Sequence, residues 1–288
     1  MTLYLLKHLF RYEMQNKIGN NIEVSFFDID LWFGNNIIPG SFSIPAENLK
    51  SLLAERKKSF NISNNVISNF LSIYSSPEKG NEETGKLIEG SESGQPGVFG
   101  TLFMEKRFFI EPLDFGKWIE SMYGRGFRLF RLMPKTQKYP YDPDLFSQFY
   151  EVLNFYCFPV LISIDEINTE NENNTDWARI IEITDSYENI PLIIEGGLKK
   201  NPEIDNYLFS ILNNTDNVFL EIHNLNSPGL LENLVKCGGS RRLVYGSCFP
   251  YFDTHATTAF LRDSSLKMKD KINISSSNIK KIFEEIAI

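Results

Sequence analysis

The sequence predicts an α/β fold: a single-domain (β/α)8 barrel, or TIM barrel. Eight short apolar runs alternate with segments of helical period, and the chain has 288 residues. The glycine-rich motifs typical of open nucleotide-binding sheets are missing from the sequence. Strands that alternate with helices form right-handed βαβ units and a parallel sheet. Eight such units in a chain of this length favour a closed barrel over an open sheet.

The predicted strands are eight runs rich in Ile, Val, Leu and Phe. Most of them are short and end at polar or glycine residues, as buried parallel strands do. In chain order the strands are predicted over residues 24–30, 66–73, 98–104, 127–132, 159–164, 191–195, 218–222 and 242–246.

The segments between these runs are predicted helices, because their apolar residues recur three or four positions apart. They cover residues 46–58, 113–123, 143–153, 176–187, 203–212 and 229–237. A C-terminal helix is expected to start at the Ser275 cluster, where serine can serve as a cap. An amphipathic N-terminal helix is expected over residues 1–20, and 75–97 is expected to be a polar loop around a short helix. No shift in composition divides residues 1–288, so we expect one domain.

Composition argues against several classes of partner. The formal net charge is −8 and no long basic run occurs, so we expect neither nucleic acid nor an anionic membrane surface as a partner. No apolar run approaches the roughly 20 residues of a membrane span. Three cysteines in a chain of this length do not form a disulfide framework, which favours reduced thiols and a cytoplasmic location. A homo-oligomer formed through the N-terminal helix and the 75–97 loop is a further hypothesis.

Candidate site residues follow from the predicted topology, because active sites of (β/α)8 barrels form at the C-terminal ends of the strands. The candidates for catalysis at these positions are Asp30, Glu195 and Cys248. The candidates for substrate binding are Trp32, Arg131, Tyr139, Ser163 and His223.

Four segments resemble a known family in the order in which they occur. They are Phe27–Gly34, Gly126–Pro134, Phe158–Ser163 and Arg242–Pro250, the last reading Arg-Leu-Val-Tyr-Gly-Ser-Cys-Phe-Pro. The chain resembles the amidohydrolase-related proteins, the amidohydrolase 2 branch of metal-dependent TIM-barrel hydrolases and decarboxylases. The resemblance implies the same barrel and a site at its C-terminal end.

The resemblance also implies where metal ligands would stand, and the residues there differ from the family's histidines and aspartate. The positions are occupied by Asp30, Trp32, Ser163, Glu195 and Cys248. A catalytic zinc ion needs about three protein ligands and one open position, and neither an indole nor a neutral serine suits it. We therefore expect no resident cofactor, and a non-catalytic or divergent barrel that binds a small molecule at its mouth.

The alternative is an active metal-dependent hydrolase or decarboxylase with a rebuilt site, in which Asp30, Glu195 and His223 hold a divalent cation such as zinc. Asp30 and Glu195 would meet there as ligands or as an acid–base pair, or each would form a salt bridge, for which Arg131 is one candidate partner. Cys248 would be a nucleophile only if a base lowered its pKa, and is otherwise a small buried side chain.

Overall fold

The computed structural model describes residues 23–35, 43–89, 97–109, 114–167, 176–198 and 202–288. The expected helix over 1–20 lies outside these residues. Within them, eight parallel strands form one sheet in the order of the sequence. The strands are β1 Phe26–Phe33, β2 Ile62–Asn69, β3 Gly97–Phe103, β4 Phe127–Leu132, β5 Val160–Ser163, β6 Leu192–Glu195, β7 Val218–Glu221 and β8 Leu243–Val244.

The first and last strands meet, which brings the sheet close to a closed barrel. The Ile29 amide donates to the Tyr245 carbonyl at 3.2 Å, and the Trp32 amide donates to the Phe249 carbonyl at 2.8 Å. Leu31 also forms a parallel bridge with Phe249. The predicted (β/α)8 barrel is therefore confirmed.

Helices connect the strands, as the alternating pattern predicts. They are α1 Ala46–Phe60, α2 Phe70–Tyr74, α3 Pro77–Glu89, α4 Phe115–Gly124, α5 Pro134–Gln137, α6 Ser147–Phe155, α7 Trp177–Ser186, α8 Pro202–Asn214, α9 Leu230–Gly238, α10 Thr254–Arg262, α11 Met268–Ile272 and α12 Asn278–Glu284. Among the described residues, every helix is too short or too polar to cross a bilayer.

The second strand and the segment after it differ from the prediction. β2 begins four residues earlier than the predicted run 66–73 and stops at Asn69, whose side chain accepts a hydrogen bond from the Leu71 amide and caps α2. Most of the expected polar loop over 75–97 that the structure describes is the helix α3. The buried face of α3 includes the polar residue Asn81, whose side-chain amide group exchanges two hydrogen bonds with the backbone of Phe103, both 3.0 Å long.

Two predicted helix starts were wrong. Residues 143–146 form a turn, held by amide groups of Asp144 and Leu145 that donate to the Asp142 carboxylate, so α6 begins only at Ser147. The expected serine cap near Ser275 is absent, since Ser275 lies inside a π-helical segment, Asn273–Ser277, that joins α11 to α12. Its hydroxyl donates back to the Ile272 carbonyl instead.

The barrel interior is apolar toward the N-terminal ends of the strands. Phe27, Val66, Leu129 and other inward-facing residues form one cluster, and α12 adds side chains such as Ile282 to it. A larger cluster fills the space between the sheet and the surrounding helices. The inward-facing polar side chains are thereby concentrated at the C-terminal end of the barrel.

Candidate functional site

A bulge in β1 gives two nearby aspartates different partners. The register between β1 and β2 shifts between Asp28 and Leu31. Asp28 forms a buried ion pair with Arg56 of α1 and accepts a hydrogen bond from the Ser247 amide at 2.8 Å. Asp30 is fully buried and forms an ion pair with Arg131 of β4. The bulge therefore makes Asp30 available to the site, while Asp28 fastens β1 to α1.

Arg131 is the central cation of the site. It donates one hydrogen bond to Asp30 Oδ1 and another, 2.8 Å long, from Nη1 to Glu195 Oε2. Its side chain is 3 % exposed, and its Cζ lies 4.6 Å from the centroid of the Trp32 ring. A guanidinium stays protonated in proteins, so Arg131 supplies a permanent positive charge between two carboxylates.

Four potential ligand atoms gather beside this cation. Asp30, Glu195, His223 and Cys248 are all buried, and one donor atom from each lies within 4.8 Å of the others. Asp30 Oδ2 has no hydrogen-bond partner among the described residues. Burial, together with the nearby Glu195 carboxylate, raises the pKa of Asp30 to about 6 despite the opposing charge of Arg131. The structure thus brings together four of the residues singled out from the sequence.

His223 is held by Glu221, a residue that sequence reasoning did not assign to the site. His223 Nδ1 pairs with Glu221 Oε2, and the His223 amide donates to Glu221 Oε1 at 2.7 Å. His223 Nε2 lies 3.2 Å from the Gly197 carbonyl oxygen. Burial lowers the pKa of His223, but the Glu221 carboxylate outweighs it and the pKa rises to about 9. The Glu-x-His spacing at the end of β7, which puts both side chains on one face of a strand, is the signal that points to this pair.

The Glu221 side chain fits in its position because residue 246, just after the neighbouring strand β8, is a glycine. A Cβ atom at Gly246 would lie 2.8 Å from Glu221 Oε1. Any side chain at position 246 would therefore displace the carboxylate that orients His223.

Cys248 has the properties of a buried thiol. Burial raises its pKa well above the ordinary value, and the carboxylates of Asp30 and Glu195 raise it further. The thiolate is the nucleophilic form of cysteine, and these surroundings suppress it near neutral pH. The nucleophilic role considered for Cys248 requires a lowered pKa, and burial and the two carboxylates act on its pKa in the opposite direction.

Trp32 covers the guanidinium with an aromatic cluster. Its ring stacks on Phe70 with centroids 5.3 Å apart and an interplanar angle of 16°, and it also contacts Phe103 at 6.0 Å. Met133 belongs to the same cluster, and Tyr251 packs on its edge. Trp32, predicted to bind substrate, is thus part of the packed top of the barrel.

Two further candidates, Ser163 and Tyr139, are outside the four-donor group and form local bonds. The Ser163 hydroxyl accepts from the Asp165 amide at 3.3 Å, capping a 3-10 turn. The Tyr139 hydroxyl accepts from the Met133 amide at 2.8 Å, and burial raises the pKa of Tyr139 well above its usual range. Both residues shape the loops around the site.

Comparison with known proteins identifies the fold. No family model and no curated protein matches the sequence. An uncharacterised TIM-barrel protein from Bordetella bronchiseptica is similar, with a TM-score of 0.69 and 13% identity over 92% of this chain and 100% of that one. A 5-carboxyvanillate decarboxylase from Novosphingobium aromaticivorans, complexed with manganese and a nitrobenzoic acid, has a TM-score of 0.70 and 10% identity over 93% and 98% of the two chains.

A structure titled amidohydrolase II has a TM-score of 0.67 and 15% identity over 90% of this chain and 100% of its own. The chain therefore has the TIM-barrel fold of the amidohydrolase II and 5-carboxyvanillate decarboxylase structures.

Proposed function

We propose that the protein works without a resident metal ion, as a small-molecule-binding barrel and not as a metal-dependent hydrolase. The observation that carries this proposal is the double ion pair of Arg131 with Asp30 and Glu195. A fixed cation of the protein itself already pairs with the two carboxylates that a metal ion would need.

The residues present fit a catalytic metal ion poorly. A divalent ion bound by Asp30 and Glu195 would lie close to the Arg131 guanidinium, which shares the same carboxylates. Two like unit charges about 4 Å apart repel each other by about 4 kcal/mol in a partly polarisable protein, and a divalent ion doubles this. The indole of Trp32 occupies the position that the family resemblance assigns to a second ligand, and an indole cannot bind a cation through a lone pair.

The charge of the site indicates which ligands it would accept. Three buried carboxylates, those of Asp30, Glu195 and Glu221, face one guanidinium and the protonated imidazole of His223. This leaves one negative charge in excess when all five groups are ionised. A neutral or cationic ligand that donates a hydrogen bond, for which Asp30 Oδ2 is a free acceptor, suits the site better than a carboxylate.

The test is the metal content and the activity of the protein purified without chelators. We expect substoichiometric zinc, manganese and iron by plasma mass spectrometry. We also expect no decarboxylation of 2,6-dihydroxybenzoate or 5-carboxyvanillate, the compounds named with two of the similar structures, whether or not manganese or zinc is added. Stoichiometric bound metal, or turnover that a chelator abolishes, would contradict the proposal.

A second candidate function is metal-dependent hydrolysis or decarboxylation at a rebuilt site. The observation in its favour is the group of four donors within 4.8 Å, which includes Asp30, Glu195 and His223. Such a site could polarise a substrate or activate a water molecule. It requires that Asp30→Ala and Glu195→Ala abolish both metal binding and turnover in proteins that still fold.

We also propose a reducing compartment, such as the cytoplasm, for this protein. Cys157, Cys237 and Cys248 are all free thiols. Proteins of oxidising compartments more often pair their cysteines in disulfides. Fractionation of cells followed by immunoblotting would test this location, and recovery of the protein in an oxidising compartment would contradict it.

A further inference from the structure

We infer that the guanidinium of Arg131 occupies the cation position of a latent zinc-type site, whose donors are Asp30, Glu195, His223 and Cys248. Replacing Arg131 by an uncharged side chain would then create a metal-binding protein in one step. The inference rests on the proposed metal-free function, since it concerns the same site.

The spacing of the four donors is close to that of a bound ion. Their atoms lie within 4.8 Å of one another in the presence of the arginine. Ligands at 2.0–2.3 Å from a tetrahedral zinc ion are about 3–4 Å apart. Side-chain movements of roughly 1 Å would therefore close the site around an ion.

The charge balance also favours a cation once Arg131 is neutral. Asp30 and Glu195 are buried and would lose the cation that each of them contacts. Two uncompensated buried carboxylates are costly, and the two positive charges of a divalent ion would offset most of the charge of Asp30, Glu195 and the Cys248 thiolate. Asp30 Oδ2, which lacks a hydrogen-bond partner among the described residues, is already a free acceptor in the cluster.

His223 is oriented in the way that metal-bound histidines usually are. Such a histidine commonly gives its second ring nitrogen to a carboxylate, which fixes the ring and its tautomer. Glu221 holds Nδ1 of His223 in this manner. Binding an ion through Nε2 would replace the 3.2 Å contact with the Gly197 carbonyl oxygen and release the Nε2 proton to the solvent.

The set of donors indicates both the metal and the type of site. A thiolate and an imidazole select zinc or cobalt over magnesium or calcium. The thiol of Cys248 would release its proton to the solvent on binding, as cysteine ligands do. Four protein ligands complete a tetrahedral shell without an open position, so the new site would bind the ion without activating water.

The experiment is a titration of Arg131→Met with Co²⁺, followed by the visible absorption of tetrahedral cobalt and by the thiolate-to-cobalt charge-transfer band. We expect one equivalent to bind to Arg131→Met and none to the wild type or to Arg131→Lys, which keeps the charge. Arg56→Met is the matched control. It also removes a buried arginine from an aspartate, Asp28, which has no histidine or cysteine in its contacts among the described residues.

Two additional substitutions, each combined with Arg131→Met, identify the residues that bind the metal ion. In the Arg131→Met background, Cys248→Ser should abolish the charge-transfer band, and Glu221→Gln should weaken Co²⁺ binding about 10–100-fold, the usual effect of losing a carboxylate behind a metal-bound histidine. If Arg131→Met is unstable alone, Zn²⁺ should restore its cooperative thermal unfolding.

Three outcomes would overturn the inference. They are an Arg131→Met protein that folds but binds no Co²⁺, one that stays unfolded both with and without Zn²⁺, and equal binding by Arg56→Met. Metal bound by the wild type would refute the proposed function instead, so the two failures are distinguishable.

Discussion

Arg131→Met, studied in the presence of a chelator, tests how strongly the site depends on its internal cation. The substitution removes a guanidinium that is 3 % exposed and contacts two buried carboxylates. Breaking one buried ion pair by removing a partner typically costs about 3–5 kcal/mol, because a charge is left uncompensated. Here, however, Asp30 can relieve part of that cost by taking up a proton, since its pKa is already raised to about 6 by burial. We therefore expect a loss of about 3 kcal/mol at pH 8 and a smaller loss at pH 5.

Urea unfolding followed by circular dichroism at the two pH values measures this loss. The matched control is the triple variant Asp30→Asn, Glu195→Gln, Arg131→Met, in which no charge is left unpaired. Replacing all members of a buried ionic group by neutral ones is often nearly neutral in stability, so we expect recovery to within about 1–2 kcal/mol of the wild type. A loss below about 1 kcal/mol in Arg131→Met, or one that is equal at both pH values, would refute the reasoning.

Three further predictions concern the groups around this cation. Burial lowers the pKa of His223, but the carboxylates of Glu221, Glu195 and Asp30 together raise it from 6.5 to about 9. Its contribution to stability is therefore complete below pH 6.5 and is lost as the pH rises through 9. Unfolding free energy should fall by about 1–3 kcal/mol over this range in the wild type but not in His223→Gln. Trp32→Ala should cost about 3–5 kcal/mol in urea unfolding, because it removes the stacking on Phe70 and leaves a cavity above the guanidinium. Gly246→Ala should cost about 1–3 kcal/mol, because its methyl group meets Glu221 Oε1 at 2.8 Å.

A specific result would contradict each of these three predictions. A His223→Gln protein whose stability falls with pH as steeply as that of the wild type would show that another group titrates. Trp32→Ala with wild-type stability would mean that the aromatic cluster relaxes around the gap. An unchanged Gly246→Ala would mean that Glu221 has room to move.

The fold could be predicted because its signals are local. An apolar run such as 127–132 coincides with β4, since a buried parallel strand needs a short, continuous apolar segment. The same rule failed at the end of β2, where the apolar residues 70–74 turn into a helix under the Asn69 cap. A short apolar run has no period of its own, so sequence alone does not separate these two outcomes.

The residues of the site could be predicted because the C-terminal ends of all strands in a (β/α)8 barrel lie at the same end of the barrel. A meeting of Asp30 and Glu195 at the mouth of the barrel was one of the open alternatives, and the structure brings them together with His223 and Cys248. The partners of these residues were harder to predict. Arg131 bridges Asp30 and Glu195, which lie 101 and 64 positions away from it in the sequence. This pairing depends on side-chain directions that no local pattern encodes. A salt bridge from Arg131 to one carboxylate was among the open alternatives, whereas the bridge to both is a finding of the structure.

The most direct test of the central claim is the metal content of the wild-type protein, expressed in medium that contains zinc and manganese and purified without chelators. We expect substoichiometric metal after dialysis and the same thermal unfolding midpoint with and without a chelator, because the Arg131 guanidinium already pairs with both Asp30 and Glu195. One equivalent of metal per chain that survives dialysis, and whose removal lowers the midpoint, would contradict the proposed metal-free function.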